Sequence, residues 1–311
     1  MKLSIIVPCY NEAKNVKLIY DCISKNFKNI KSYEIIFIND GSKDNTYKVL
    51  KELCENAKEN IKVINFSRNF GKEAAMYAGL ENAVGEYVSI IDADMQQDPK
   101  LVLDMVDYLD NNEEYDAVAT YQEQRKEGKI LTFFKSCFYK IMNKMSDTEF
   151  VQGASDFRTF RRGMVDSILS MKEYFRFSKG IFSWVGYNTY YMPYTVKERA
   201  NGTSSWSFIK LFRYAVEGIV SFSTAPLKIA TFVGITSSIL SVFYLIIVII
   251  QKIFYGIAVS GYATIVVLVL LLGGIQLFSL GIVGEYIART YVETKKRPIY
   301  IAKNIINNKD K

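Results

Sequence analysis

The chain has 311 residues, half of them hydrophobic, and carries a formal net charge of +7. It contains no histidine, which excludes His-based catalytic triads, His metal sites and haem ligation and leaves carboxylates to bind any metal. Its four cysteines form no C-x-x-C pair, a pattern that indicates reduced thiols and no zinc site.

The N-terminal part of the chain alternates β-rich runs with helical stretches such as Asn45–Asn60. Strands that are apolar throughout and separated by helices are typical of a mainly parallel sheet with helices on both faces. The sequence therefore predicts an α/β fold of the Rossmann-like type. The five predicted strands are Leu3–Val7, Glu34–Ile38, Lys62–Phe66, Tyr87–Ile91 and Asp116–Thr120.

A polar loop follows each of the first four predicted strands. Because the carboxyl ends of parallel strands meet at one edge of the sheet, these loops are expected to line one crevice. Each loop also fits a simpler interpretation, as a turn before a helix N-cap. The sequence has neither G-x-G-x-x-G nor G-x-x-x-x-G-K-[ST], so a nucleotide would be held without these phosphate cradles. The loops are Pro8–Glu12, Asn39–Thr46, Ser67–Glu73 and Asp92–Pro99.

Two aspartates, Asp92 and Asp94, follow the fourth predicted strand with one alanine between them. Side chains at positions i and i+2 of an extended segment point the same way, so the two carboxylates share one face. There they repel each other unless a cation or hydrogen-bond donors hold them. The pair predicts either a cation site or a solvated turn.

Two long stretches carry no charged residue, the first between Lys228 and Lys252 and the second from Ile253 to Gly284. Each exceeds the roughly 20 apolar residues that cross a bilayer core. They predict a transmembrane hairpin, at residues 229–251 and 259–284, rather than two buried core helices. Basic residues after the second stretch, and an N-terminus unlike a secretory signal, predict that both termini are cytoplasmic. The net positive charge favours an anionic membrane surface over nucleic acid as a partner.

Two further segments, 131–145 and 206–222, combine an apolar helical face with basic residues elsewhere. They predict amphipathic helices in the membrane interface, or helices packed on the domain core. The predicted organisation is an α/β domain at 1–205, a juxtamembrane helix at 206–228, the hairpin at 229–288 and a basic cytoplasmic tail at 289–311.

Five motifs precede the two apolar stretches, in the order SIIVPCYNE, FINDGSKDNT, FSRNFGKEAA, DADMQQDP and GASDFR. Together they resemble the family 2 glycosyltransferases of GT-A fold. More narrowly, the sequence is similar to the polyprenyl-phosphate glycosyltransferases, of the bactoprenol glucosyltransferase and dolichol-phosphate mannose synthase type. This resemblance implies inverting, metal-dependent transfer of a sugar from a UDP-sugar to undecaprenyl phosphate, giving a lipid-linked donor for cell-envelope glycosylation. Glucose is the first expectation for the sugar, before N-acetylglucosamine and mannose. The similarity continues through GIVGEYIARTY, after the second apolar stretch.

The resemblance implies that Asp92 and Asp94 hold a Mg²⁺ or Mn²⁺ ion that bridges the diphosphate of the nucleotide sugar, with Gln96 as a further oxygen ligand. Hard cations of this kind prefer carboxylate and carbonyl oxygens. Asp40 is implied to receive the nucleobase, and Lys72 suits the diphosphate, unless it is a solvated surface lysine. The first loop is implied to line the base and ribose through Pro8, Tyr10 and Glu12.

Asp156 matches the position of the catalytic base proposed for the family. A phosphate monoester is largely a dianion at neutral pH and already nucleophilic. We therefore expect Asp156 to orient the acceptor or to balance charge at the anomeric carbon. Arg158 and Arg199 are predicted to bind phosphates or to form ordinary structural ion pairs. The loop around Arg199, ERANGTSSW, departs from the more usual E-R-x-A-G-x-S-K form.

Two other functions fit the sequence less well. A processive polysaccharide synthase of the same fold would carry a Q-x-x-R-W motif, but neither Trp184 nor Trp206 follows an arginine. A non-catalytic membrane protein, such as a transporter, would be expected to bury ionisable groups in its spans, which are uncharged here. The resemblance also implies a homo-oligomer.

Overall fold

The computed structural model describes residues 2–28, 30, 32–122, 143, 151, 153–195, 218–255 and 261–310. The chain divides into two compact units, Met1–Gly218 with Arg297–Lys311, and Ile219–Lys296. The first is an α/β unit and the second is a pair of long helices.

In the α/β unit, eight strands form one sheet in the described part of the chain. The strands are β1 (Leu3–Cys9), β2 (Tyr33–Asn39), β3 (Asn60–Phe66), β4 (Tyr87–Ile90), β5 (Ala117–Gln122), β6 (Ala154–Arg161), β7 (Thr189–Tyr194) and β8 (Ala302–Asn307). The helices are α1 (Val16–Asn26), α2 (Thr46–Asn56), α3 (Lys72–Asn82), α4 (Lys100–Asn111), α5 (Arg162–Ser170) and α6 (Ser178–Trp184).

The sheet has the strand order β7-β5-β6-β4-β1-β2-β3-β8. Strands β4, β1, β2 and β3 are parallel neighbours, in a register that pairs Ile6 with both Ile36 and Ile90. Strands β6 and β8 run antiparallel to their neighbours. The carboxyl ends of the four central strands therefore lie at one edge, as the sequence predicts.

Helices cover both faces of the sheet because the central strands are apolar on both sides. On one face, Ile5 and Val7 belong to a buried cluster with Ile19 of α1 and Met105 of α4. On the other face lies α3, packed so closely that a Cβ on Gly79 would lie 2.3 Å from the Ile6 side chain. The predicted α/β fold, with a mainly parallel sheet between helices, is confirmed.

Strand β8 was not predicted, because its segment was interpreted as part of the basic tail. Residues 297–311 instead group with the α/β unit, and β8 pairs antiparallel with β3 at one edge of the sheet. The side chain of Asn65 donates to Asn304 at 2.9 Å, and the Phe66 ring stacks on Tyr300 with centroids 5.0 Å apart. The domain boundary placed at residue 289 is corrected accordingly.

The second unit contains α7 (Ala225–Tyr255) and α8 (Tyr262–Thr294). Both are long and apolar enough to cross a membrane, with mean hydropathy of 2.5 and 2.6. Large apolar side chains are exposed along them, including Phe232 at 70% and Leu277 at 72%. Water would disfavour so much apolar surface, whereas lipid would not, so the predicted hairpin is confirmed.

A short polar connection joins the start of α7 to the end of α8 within this unit. The Tyr286 hydroxyl donates to the Ser223 carbonyl at 2.6 Å, and Arg289 donates to the Ser221 hydroxyl at 2.7 Å. The amphipathic segment predicted at 131–145 lies outside the described residues apart from Asn143, and so does 206–217 of the second one. Residues 218–222, at its end, are helical.

Candidate active site

Hydrogen bonds join the loops after β1 and β2 at the carboxyl edge of the sheet. The amide of Asn11 donates to the Ser42 hydroxyl at 3.0 Å, and the Asn11 side chain accepts from the Lys43 amide at 2.8 Å. Asn11 has a φ of 57°, in the left-handed region that asparagine tolerates better than most residues. The amide of Glu12 donates to the Thr46 hydroxyl at 2.8 Å. The two loops therefore form one wall of the crevice.

The predicted base- and ribose-binding residues lie on this wall. Pro8 is half-buried near the end of β1, and Tyr10 is 42% exposed. The Glu12 carboxylate accepts a bond from the Asn15 side chain at 2.6 Å. Tyr10 thus offers an aromatic face to a ligand, and the contacts of all three with a nucleotide stay a prediction.

Asp40, at the end of β2, holds the loop after β3. Its carboxylate accepts bonds from the Phe70 amide at 2.6 Å, the Gly71 amide at 3.0 Å and the Asn69 side chain at 3.0 Å. Burial raises the pKa of Asp40 to about 6, although the two amides act in the opposite direction. The predicted nucleobase contact is untested, and the structure adds an anchoring role that the sequence did not reveal.

The close approach of these two loops requires glycine at position 41. Gly41 has a φ of 60°, and a Cβ there would lie 2.3 Å from the carbonyl carbon of Arg68. A larger side chain would push the loop after β3 away from Asp40.

Lys72 connects two carboxylates that the sequence singled out, Asp92 and Asp156. Its ammonium lies 2.6 Å from Asp92 Oδ1 and 3.0 Å from Asp156 Oδ2. The three residues come from the start of α3, the end of β4 and strand β6. Lys72 is therefore more than a solvated surface lysine, although its side chain is 43% exposed.

The charges in this group hold one another in the ionised form. Burial alone would raise the pKa of Asp156, but Lys72, Lys179 and Arg158 outweigh it and hold that pKa well below its usual range. Burial would likewise lower the pKa of Lys72, but the charges of Asp156 and Asp92 outweigh burial and raise that pKa above its usual value. A carboxylate that holds a proton so weakly is a poor general base.

The loop after β4 is folded around Asp92 by Gln97 rather than by Gln96. The Asp92 amide donates to the Gln97 side-chain oxygen at 2.8 Å, and the Gln97 amide group donates back to Asp92 Oδ2 at 3.0 Å. Asp94 Oδ1 accepts a bond from the backbone of Gln96 at 3.1 Å. Between them, Met95 has a φ of 63°. The sequence did not identify Gln97, whose amide side chain looks like any other in this polar loop.

The ligand atoms that the protein offers fit a hard divalent cation only if a substrate supplies the remaining ligands. The described residues contain no group of three or more His, Cys, Asp and Glu side chains suited to a metal. Asp92 and Asp94 supply two carboxylates, and Mg²⁺ is commonly bound by one or two carboxylates together with substrate phosphates and water. The ammonium of Lys72 beside Asp92 Oδ1 shows that this position accepts positive charge.

Arg158 is buried in β6, with 2% of its surface exposed. Its Nε donates to the Ser155 carbonyl at 2.9 Å, and its guanidinium lies 4.9 Å from the centre of the Phe182 ring. These contacts give Arg158 a structural role within the sheet, and its predicted phosphate contact stays a prediction. Arg199, the other predicted phosphate ligand, lies outside the described residues.

Glu73 is a buried carboxylate that the sequence analysis did not select. It accepts a bond from the Ser178 amide at 2.9 Å and another from the Ser178 hydroxyl. Burial, together with the charge of Asp156, raises the pKa of Glu73 to about 7. Its position next to Lys72 in the motif FGKEAA was a signal, but an acidic residue in the first turn of a helix is ordinary.

The sheet order and the carboxylate pair after β4 agree with the glycosyltransferase domain of GT-A type that the motifs imply. Residues 4–169 match the family described as Glycosyl transferase family 2, and residues 225–290 match the GtrB C-terminal hairpin. The first match covers more than half of the chain, so the chain belongs to glycosyl transferase family 2. The resemblance stated from the motifs is confirmed.

Relatives extend this similarity over nearly the whole chain. The Bacillus subtilis (strain 168) protein CsbB, named as a glycosyltransferase, is 45% identical over 310 residues, which cover 99% of this chain and 93% of CsbB. The prophage bactoprenol glucosyl transferase homolog of Escherichia coli (strain K12) is 38% identical over 98% of this chain and 99% of its own. The bactoprenol glucosyl transferase of Shigella phage SfV is 37% identical over the same shares.

Among solved structures, the chain is similar to the mannosyltransferase PcManGT of Pyrobaculum calidifontis, whose structure contains GDP-Man and Mn²⁺. The TM-score is 0.51 and the identity is 18%, covering 71% of this chain and 63% of that one. At this identity the similarity supports the fold alone.

Proposed function

We propose that this protein transfers glucose from UDP-glucose to a polyprenyl phosphate, with inversion at the anomeric carbon. The observation that carries the proposal is that the Lys72 ammonium contacts both Asp92 and Asp156. This contact brings the carboxylate proposed for the sugar donor next to the one proposed for the acceptor. The names of the relatives, two of which are bactoprenol glucosyl transferases or homologs, support glucose as the sugar and a polyprenyl phosphate as the acceptor.

On the donor side, the nucleobase and ribose would lie against Asp40, Pro8, Tyr10 and Glu12. Asp92, Asp94 and Gln96 would hold a Mg²⁺ or Mn²⁺ ion, which neutralises charge on the departing diphosphate when it is bound. Lys72 would turn from the carboxylates to the diphosphate, because its side chain is 43% exposed and can change its conformation. The fixed loop contacts around Asp40 and Gln97 support a donor site organised before the substrate binds.

On the acceptor side, an oxygen of the lipid phosphate attacks the anomeric carbon from the face opposite the diphosphate. The bond from that carbon to the diphosphate oxygen breaks, and its electron pair leaves with UDP. The acceptor is largely a dianion at neutral pH, since its second pKa is near 6. Asp156 therefore orients the acceptor and stabilises positive charge at the sugar, as its lowered pKa supports. Arg199 remains a proposed phosphate ligand, and Arg158 a supporting residue.

The chain's connectivity supports the proposed membrane arrangement. The chain leaves the α/β unit before α7 and returns after α8 to add β8 to the same sheet. Two crossings bring it back to its starting side, which supports a multi-pass protein of the plasma or inner membrane with both termini cytoplasmic. The basic residues after α8 support the same orientation. The proposal includes a homo-oligomer solely because the family resemblance implies one.

The experiment that tests the proposal is a donor panel. Purified protein in lipid nanodiscs is incubated with undecaprenyl phosphate and radiolabelled UDP-glucose, UDP-N-acetylglucosamine or GDP-mannose, and the labelled lipid is identified by mass spectrometry. We expect glucosyl-phosphoryl-undecaprenol in the β configuration from UDP-glucose. Labelling by another donor alone would move the proposal to that sugar, and release of UDP without a labelled lipid would refute the acceptor.

A further inference from the structure

Helix α3 begins at the active site and contacts, along one face, the segment that leads into α6. Glu73 and Tyr77, one turn apart on α3, both contact this segment. Glu73 accepts two hydrogen bonds from Ser178, and the guanidinium of Arg176 lies 4.6 Å from the centre of the Tyr77 ring. Ser178 is buried, so water does not compete for these bonds.

The contact with Ser178 lies at the first residue of α6. Ser178 is the first residue of α6, and its hydroxyl and backbone amide both donate to the same oxygen of Glu73. The next residue, Lys179, lies near enough to Asp156 for its charge to lower the pKa of that carboxyl. Glu73 itself follows Lys72 in the sequence, and the Lys72 ammonium lies 3.0 Å from Asp156 Oδ2. The Glu73–Ser178 contact thus lies between Lys72 and Lys179, the two lysines whose charges act on the Asp156 carboxylate.

The charged groups around Glu73 explain why its position is sensitive. It faces Asp156 of β6, Lys72 of its own helix and Arg176 of the segment before α6. A carboxylate that is buried beside another carboxylate is costly unless hydrogen bonds compensate for it. Its retention there indicates that the bonds to Ser178 serve the site.

We propose that Glu73 is a positioning residue, which fixes the start of α6 through Ser178 and so keeps α6 packed, through Phe182, on β6, the strand that carries Asp156 in the acceptor part of the site. This inference rests on the proposed function for the identity of the acceptor. The contact itself does not depend on the substrate.

The first test measures the contact without any reaction. Hydrogen–deuterium exchange of the α6 amides is compared for the wild type, Glu73→Ala, Glu73→Gln and Ser178→Ala in nanodiscs. We expect Glu73→Ala to speed exchange by about tenfold, since it removes the acceptor of both bonds from Ser178. Ser178→Ala, which keeps the backbone bond, should have a smaller effect. Glu73→Gln, which keeps an acceptor oxygen, should remain close to the wild type. Unchanged exchange in Glu73→Ala would overturn the inference, whichever sugar the wild type transfers.

The second test separates positioning from general structural support. For Glu73→Ala we expect kcat/KM for undecaprenyl phosphate to fall about tenfold, while the Kd for UDP, measured by calorimetry, changes less than about twofold. Partial recovery in Glu73→Gln would support the hydrogen-bond role. The matched control is Glu81→Gln, a carboxylate at the far end of the same helix that accepts a bond from Tyr300. Equal losses of UDP affinity and acceptor kinetics, or unchanged kinetics in a variant whose α6 is loosened, would overturn the inference.

Discussion

Replacing Asp156 with asparagine tests whether this reaction needs a general base. The substitution keeps the shape of the side chain and an oxygen that can accept a bond from Lys72, but it removes the negative charge. A unit charge about 4 Å from developing positive charge is worth about 4 kcal/mol at an effective dielectric constant near 20. The side chain of Asp156 is 21% exposed, so water screens part of this energy. We expect the rate to fall by about 10²–10³.

The pH dependence of the loss distinguishes the two roles of Asp156. Its pKa lies well below the usual range, so the carboxylate stays ionised throughout the neutral and alkaline range and contributes no inflection there. The lipid phosphate, with a second pKa near 6, should give the same fall in rate toward acid in both proteins. The ratio of wild-type to mutant rate should therefore be constant above about pH 7. The assay is the initial rate of UDP release between pH 6 and about 9, at saturating lipid phosphate.

One outcome would refute this reasoning. If Asp156 removed a proton from the acceptor, the mutant alone would recover at higher pH as the acceptor lost that proton by itself. A strong alkaline rescue confined to Asp156→Asn would restore the assignment as a base.

Three further predictions follow from the site and the fold. Asp94→Asn removes a proposed metal ligand without changing volume, so we expect the rate to fall by about 10²–10³ while circular dichroism shows intact folding. EDTA should stop the wild-type reaction until Mg²⁺ or Mn²⁺ is added. The metal role would be contradicted if the mutant kept more than about a tenth of the activity, or if the chelator had no effect. For topology, a cysteine at Tyr255 should react with an impermeant maleimide from outside intact cells and one at Lys309 should not, whereas the reverse labelling would overturn the orientation. Asn304→Ala removes the acceptor of the 2.9 Å hydrogen bond from the Asn65 side chain. We expect the free energy of unfolding of the α/β unit, measured by urea titration, to fall by about 1–3 kcal/mol. An unchanged urea midpoint would show that water replaces that bond.

The central strands could be predicted from the sequence because they are apolar on both faces, a pattern that few other elements show. Strand β6 could not, since its residues 154–161 include Asp156 and two arginines. Burial of Arg158 depends on the Phe182 ring and the Ser155 carbonyl, and neither partner is visible in a local pattern. Strand β8 was hidden by the lysines and asparagines of a segment that lies at the edge of the sheet.

The identities of several site residues were predictable, but their arrangement was not. Lys72, Asp92 and Asp156 were each selected from a separate motif, yet only the folded sheet shows that one ammonium contacts both carboxylates. Gln97, rather than Gln96, bonds to Asp92, in a loop where Met95 adopts a left-handed conformation. Such details depend on backbone geometry and on contacts between distant segments.

The pairing of β8 with β3 has a consequence for biosynthesis. Lys62 pairs with Asn307, which the ribosome adds only after both apolar helices have been made. Until then the edge of β3 has no strand beside it, and unpaired edges of this kind invite pairing with other chains. Closing so long a loop is also slow, because its entropy is lost before the contacts form. The catalytic sheet of a nascent chain thus becomes complete only after the helical hairpin has been synthesised, so a chain that stops before β8 should expose that edge and aggregate.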